Sequence, residues 1–147
     1  MTSYKAKDYE KAIASWQKAA AQGHVGAQQN LTVMYFNIGL TYLKGEGVPK
    51  DAAKAVEWWQ KAATQGDATA QSNLGWAYYK GEGVPKDMVL AYAWANLAAA
   101  EDEKVVGVSI AKHLRDALVL SSSQRAEAER LSSNWKAGQV LRRERAN

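Results

Sequence analysis

The sequence has no cysteine, two prolines, one phenylalanine and two histidines, and these shortages exclude several classes of protein. Without cysteine, neither a disulfide framework nor a thiolate metal site can form. The longest apolar run, 89–100, contains Asn96 and falls short of the roughly 18 residues that span a bilayer. The two histidines, His24 and His113, lie in distant segments and lack the helical spacing of metal ligands. We therefore expect no metal, no cofactor and no membrane insertion.

The charged residues are few and scattered. The chain carries a net charge of +4, with 47% hydrophobic and 23% charged residues, which is the balance of a globular domain. Three arginines stand in the last seven residues, LRRERAN, the rest of the chain is nearly balanced, and no stripe of Lys and Arg suits nucleic acid. The serines at 121–123 have no neighbouring histidine to act as a base. A nucleic-acid-binding helical repeat, and less so a small hydrolase or transferase, stay as alternatives to a non-enzymatic binding module.

The sequence does not identify the cellular compartment of the protein. The first residues, MTSYKAKDYEKA, are polar and lack the apolar core of a signal peptide. The absence of cysteine fits a reducing cytosol, although an oxidising compartment does not require cysteine. We expect a cytoplasmic chain as written, or a periplasmic or secreted one if a signal peptide preceded it.

A repeat of 36 residues is the strongest pattern in the chain. NIGLTYLKGEGVPKDAAKAVEWWQKAATQG begins at Asn37, and NLGWAYYKGEGVPKDMVLAYAWANLAAAED begins at Asn73. The octapeptide KGEGVPKD is identical in the two copies. A fixed period of this length is typical of solenoids built from helical pairs.

Each copy predicts two antiparallel helices joined by KGEGVPKD. Gly81 suits a left-handed C-terminal cap, Gly83 gives the link freedom to reverse direction, and Asp87 suits the N-cap of the next helix. Glu46 and Glu82 would repel a phosphate, so the glycines indicate a turn and not a phosphate loop. Steps of three and four residues define the buried faces. In the second copy these faces are Ala70, Leu74, Ala77 and Tyr78, then Ala91, Trp94, Ala95, Ala98 and Ala99.

A partial copy precedes the two full ones. Residues 9–23 are similar to the second helix of a repeat, with Trp16 in the place of Trp59, but the spacing exceeds the period by seven residues. Seven residues are close to two helical turns and rotate the apolar face by only about 20°. One long first helix over about 27–44 is therefore predicted. We expect its extra length to leave apolar surface at Met34, Tyr35 and Phe36, through which a homodimer is a hypothesis.

The repeat unit resembles the Sel1-like repeat family, whose helical pairs are similar to tetratricopeptide repeats. The pattern is A-x-x-x-L-G-x-x-Y-x-x-G-x-G-V-x-x-D-x-x-x-A-x-x-W-x-x-x-A-A-x-x-G, and it covers residues 9–102 with a seven-residue insertion. The resemblance implies a right-handed α/α superhelical solenoid, here of about seven antiparallel helices. It also implies an adaptor or scaffold in bacterial signalling, secretion or host interaction, without chemistry of its own.

We predict a single repeat domain over 1–147. It comprises a partial repeat helix at 9–23, a repeat with the longer first helix at 27–66, and a second repeat at 70–102. A capping helix pair follows at 103–140, since a solenoid needs atypical terminal repeats to stop stacking. The last helix is expected to include SSSQRAEAERLSSNWKAGQ, with Ser123 and Glu127 resembling a capping box.

The first helices carry residues that belong neither to the core nor to the turns. Steps of three and four place each set on one helix face, and first helices line the concave surface of such solenoids. Trp76 replaces Leu40 of the preceding copy. An exposed Trp often anchors an interface, although Trp76 can equally pack between repeats. We expect another protein or a peptide to bind on Asn37, Thr41, Lys44, Asn73, Trp76 and Lys80.

Overall fold

The computed structural model describes residues 2–101 and 108–143, which form seven α-helices and no strand. The predicted all-α helical architecture is confirmed over this part of the chain. None of the described helices is long and apolar enough to cross a membrane. The helices are α1 (Thr2–Ala21), α2 (Val25–Lys44), α3 (Ala52–Thr64), α4 (Ala68–Lys80), α5 (Met88–Ala99), α6 (Val108–Ala117) and α7 (Ser122–Ser133).

Aspartates begin the second helix of each repeat, as the sequence predicted. The Asp87 carboxylate accepts hydrogen bonds from the backbone N–H groups of Val89 at 3.0 Å and Leu90 at 3.1 Å. These bonds satisfy donors that have no partner inside the helix. The backbone N–H of Asp87 donates to the Tyr78 carbonyl, which closes the turn. Asp51 occupies the same position at the start of α3, where its carboxylate accepts a hydrogen bond from the Lys54 N–H at 3.1 Å and its own N–H donates to the Tyr42 carbonyl.

The turn between α4 and α5 depends on two glycines in different ways. Gly81 has a φ of 71° and ends α4 in the left-handed conformation, as expected. Gly83, which was expected to keep the link flexible, has a φ of 78° and lies against the Ala52 carbonyl at the start of α3. A Cβ at this position would overlap that carbonyl. Gly83 therefore lets the turn of one repeat pack on the preceding repeat.

The helices pack in two layers. Consecutive helices contact one another along the chain from α1 to α6, and further contacts join α4 to α6 and α5 to α7. The first helices α2, α4 and α6 thus form one layer, and α1, α3, α5 and α7 form the other. The predicted faces supply the core between them, because Leu74 and Trp94 are fully buried and small alanines allow the helices to approach closely.

The long helix expected near residues 27–44 is α2, and α3 covers part of the apolar surface expected on it. Tyr35 is only 9% exposed, and its ring lies 5.8 Å from that of Trp58. Phe36 stacks on Trp59, and Met34 is half-buried against the core. The two tryptophans of α3 thus cover Tyr35 and part of Phe36, and self-association through Met34, Tyr35 and Phe36 stays a prediction.

The chain after α7 differs from the prediction. The helix stops at Ser133, and residues 134–143, here called the C-terminal segment, turn back along the second-helix layer. The Gly138 N–H donates to the Thr64 carbonyl at 2.6 Å, and Leu141 is buried. A φ of 95° at Gly138 is incompatible with helix. The capping box lies at Ser121 and Gln124, two residues earlier than expected. Residues 103–107 of the predicted capping pair lie outside the described residues.

Arg143 connects the C-terminal segment to the rest of the domain. Its guanidinium donates to both carboxylate oxygens of Glu127, at 2.8 Å and 3.0 Å, and lies 3.4 Å from the Asp87 carboxylate. The hydrogen bond and charge of Arg143 lower the pKa of Glu127 below its ordinary value. The segment is thus held by an ion pair at one point and by backbone bonding and apolar burial at others.

Candidate binding groove between two first helices

An open groove of about 370 Å³ lies between α2 and α4, and α3 forms its floor. The groove is mostly apolar, and the half-buried Trp76 stands on its α4 wall. Ile110 of α6, which is 53% exposed, extends the apolar surface beyond α4. The lining residues are Leu40, Leu43, Ala52, Val56, Trp59, Asn73, Trp76, Ala77, Lys80, Glu82 and Ile110.

The groove contains one half of the residues that the sequence predicted for partner binding. Asn73, Trp76 and Lys80 of α4 line it together. Their counterparts Asn37 and Lys44 on α2 are exposed but do not line it, and Thr41 is buried. The Thr41 hydroxyl donates to the Asn37 carbonyl at 3.0 Å within its own helix.

Helix geometry explains why the two sets separate. The first helices α2 and α4 run in the same direction because α3 returns the chain between them. Opposite edges of the two helices face the groove, so Leu40 and Trp76 are the one equivalent pair of lining residues that these two helices share. Leu40 and Leu43 lie on the α2 edge that faces α4, on one side of the Asn37–Lys44 row.

Trp76 is the central side chain of the groove. Its ring meets Tyr79 edge to face at a centroid distance of 5.5 Å, and the Lys80 ammonium lies 5.6 Å from the ring centroid. Trp76 also packs against the core, which is the packing role considered for it from the sequence, while part of its ring stays exposed in the groove. Its indole N–H is buried and makes no hydrogen bond with a described residue, which costs about 1–3 kcal/mol in an apolar setting.

The first helices are poor in acidic residues. Neither α2 nor α4 contains an Asp or Glu, and their only charged residues are Lys44 and Lys80. Neither lysine forms an ion pair with a described residue. The acidic residue of α6, Asp116, is paired with Arg115 at 3.0 Å. The groove is therefore apolar with an unpaired cation on its wall, and Glu82 in the turn is the acidic residue among its lining.

Sequence reasoning did not select Leu40, Leu43 and Ile110 as binding residues, although all three line the groove. Leu40 is the counterpart of Trp76 in the 36-residue repeat, so its position was available as a signal. Leu43 corresponds in the same way to Tyr79. Ile110 had no such signal, because α6 has diverged from the repeat.

The described residues contain no candidate metal site or catalytic site. These residues hold no group of three or more metal-ligating side chains. His24 and His113 are both exposed, and His113 Nδ1 lies 2.8 Å from the Ser109 carbonyl of its own helix. The hydroxyl of Ser121 accepts a bond from the Gln124 N–H and caps α7, which is a structural role.

Two solved structures are similar to this chain. A protective antigen of uropathogenic Escherichia coli with an SLR fold has 37% identity and a TM-score of 0.62, over 85% of this chain and 25% of its own. A Sel1 repeat protein from Oxalobacter formigenes has 41% identity and a TM-score of 0.47, over 65% of this chain and 39% of its own. The chain thus spans well under half the length of both. No curated protein matches the sequence.

The sequence itself matches the Sel1 repeat at residues 4–24, 33–67 and 68–103, which is more than half of the chain. Sel1 repeat proteins are generally non-catalytic protein-interaction modules. The all-α fold, the two-layer packing and the capped turns agree with this match. The chain belongs to the Sel1 repeat family.

Proposed function

We propose that this chain is a protein-interaction module that binds a peptide segment of a partner protein in the groove between α2 and α4. The observation that carries the proposal is the open apolar groove around Trp76. A recess of this size, near the lower end of the range of about 300–1,000 Å³ seen for ligand sites, accepts side chains and not a whole domain.

The residues of the groove are suited to this role. Trp76 offers a large, rigid apolar surface, which is the type of side chain that dominates binding energy at interfaces. Leu40 and Leu43 form the opposite wall, and Val56 lies on the floor. Asn73 can both donate and accept hydrogen bonds from a peptide backbone.

Capture from a lysate of the source cell tests the proposal. The wild-type chain is compared with an Asn73→Ala/Lys80→Glu variant, which alters the groove wall while leaving the fully buried residues unchanged. An Asn134→Ala/Lys136→Glu variant is the matched control, because it makes the same two changes at exposed positions outside the groove. Each captured protein is then purified and titrated calorimetrically against all three chains.

The expected result is a partner that binds the wild type and the control equally and the groove variant at least several-fold more weakly. Equal affinity for all three chains would move the binding site away from the groove. Circular dichroism of the three proteins separates a loss of binding from a loss of fold.

A further inference from the structure

We propose that the groove takes an acidic peptide, in which an apolar side chain inserts beside Trp76 and a neighbouring carboxylate pairs with Lys80. This inference rests on the proposed function and adds the chemical class of the partner. It follows from the charge of the first-helix layer and from the apolar lining of the groove.

The charge of the surface favours acidic partners. Lys44 and Lys80 are the only charged residues of α2 and α4, and both are exposed without a carboxylate partner in the described structure. They occupy equivalent positions in the 36-residue repeat, and Lys80 is the one that lines the groove. Complementary charges across an interface favour association and select against partners of the same sign.

The one acidic residue of the lining does not reverse this charge. Glu82 follows Gly81 in the turn and is next to Gly83, which packs against Ala52 in the first turn of α3. The Asp51 carboxylate already caps the positive end of the α3 dipole, and Glu82 is exposed in the turn, where solvent screens its charge. Lys80, in contrast, stands above the Trp76 ring, where an inserted side chain would bring the adjacent peptide residues.

The apolar lining sets the second requirement. Leu40, Leu43 and Trp76 form walls that a charged side chain would have to enter without a buried counter-ion, which is costly. A purely acidic peptide therefore lacks an anchor, and a purely apolar one leaves Lys80 unpaired. A Leu, Ile or Phe followed within two residues by Asp or Glu satisfies both features.

Panning of a random 12-residue peptide library on the full chain tests this inference. Wild type, Lys80→Glu and Trp76→Ala are panned in parallel, and each enriched peptide is synthesised with a fluorescein label. Its affinity is measured by polarisation, together with variants in which every Asp and Glu becomes Gln or Lys. Thermal melting shows whether each protein variant is folded.

The expected consensus is an apolar residue close to Asp or Glu. Changing the acids to Gln should weaken binding roughly three- to tenfold, and Lys80→Glu should weaken the acidic peptide by a similar factor while favouring its Lys-containing variant. Raising the salt concentration should narrow these differences because exposed charges are screened.

The other outcomes separate the two proposals. A consensus without acids that Trp76→Ala abolishes and Lys80→Glu leaves unchanged would overturn the acidic class and keep the peptide groove. No enrichment on any chain, or equal enrichment on all, would overturn both. Sedimentation as a dimer by wild type and as a monomer by Lys80→Glu would make a second copy the occupant and would also overturn the acidic peptide.

Discussion

Replacing Gly39 with alanine should destabilise the domain, because α3 packs directly against α2 at this residue. A Cβ at position 39 would lie 2.5 Å from Cδ1 of Trp59 and 3.1 Å from the Ala55 carbonyl oxygen. Carbon atoms in contact normally stand about 3.5–4.0 Å apart, so the indole ring would have to withdraw by about 1 Å. The ring has little freedom to do so, since Trp59 is 5% exposed and donates from its indole N–H to the Phe36 carbonyl.

The size of the effect follows from two costs and one gain. Overpacking a well-filled core costs about 1–3 kcal/mol, and a weakened indole hydrogen bond adds about 0.5–1.5 kcal/mol. Alanine recovers about 0.5–1 kcal/mol over glycine inside a helix. The expected net loss is therefore about 1–3 kcal/mol of the free energy of unfolding.

Gly26→Ala is the matched control in the same helix. A Cβ there has no heavy atom within 4 Å, so the substitution should leave stability unchanged or raise it by up to about 1 kcal/mol. Urea denaturation of wild type and both variants, followed by tryptophan fluorescence and far-UV circular dichroism, measures the changes. Coincident transitions from the two probes justify a two-state treatment.

The interaction between Gly39 and Trp59 is tested directly by a double-mutant cycle. Gly39→Ala should cost less in a Trp59→Phe background, where the ring is smaller, and the coupling should exceed about 1 kcal/mol. A Gly39→Ala protein as stable as Gly26→Ala, or a coupling near zero, would show that the ring is not packed against Gly39 as described.

Two further predictions concern the turn and the C-terminal segment. Gly81→Ala and Gly83→Ala both place a Cβ at a positive φ, which costs about 1–2 kcal/mol, but only the second also meets the Ala52 carbonyl. Gly83→Ala should therefore lose at least about 1 kcal/mol more in urea denaturation; equal losses would contradict the contact between repeats. Arg143→Gln should lower the melting temperature near neutral pH by at most about 5 °C, because the pair is partly exposed. Since Arg143 lowers the folded-state pKa of Glu127, this stabilisation is present above the ordinary glutamate value of about 4.3 and is lost as the pH falls through the lowered pKa. Melting curves of the two proteins from pH 7 to pH 3 should therefore converge, and a constant difference would exclude the Glu127 pair as its source.

The repeat and its caps were predictable from sequence because they depend on local rules. Helical spacing identified the buried faces around Leu74 and Trp94, and the preference of Asp for the N-cap located the start of α5. Each of these features is decided within a few residues of the chain. Periodicity and capping preferences are sufficient to find them.

The residues that line the groove, and the packing of α3 over part of α2, were less predictable. Both depend on how helices pack against one another. The sequence identified a row on each first helix, but only the packing of two helices decides which edge lines the groove. Leu40 was therefore not selected, although its counterpart Trp76 was. Tyr35 and Phe36 looked unpartnered because the sequence could not show that Trp58 and Trp59 lie over them.

The C-terminal segment has a consequence for how the domain unfolds. In an array whose units touch only their neighbours, a terminal helix can open while the rest stays folded. Here the same ten residues bond to Thr64 at the end of α3 and, through Arg143, to Glu127 in α7 and Asp87 at the start of α5. Opening α7 together with this segment would therefore break its contacts with α3 and α5. The C-terminal half should therefore exchange its amide hydrogens as one cooperative unit and not fray from its end.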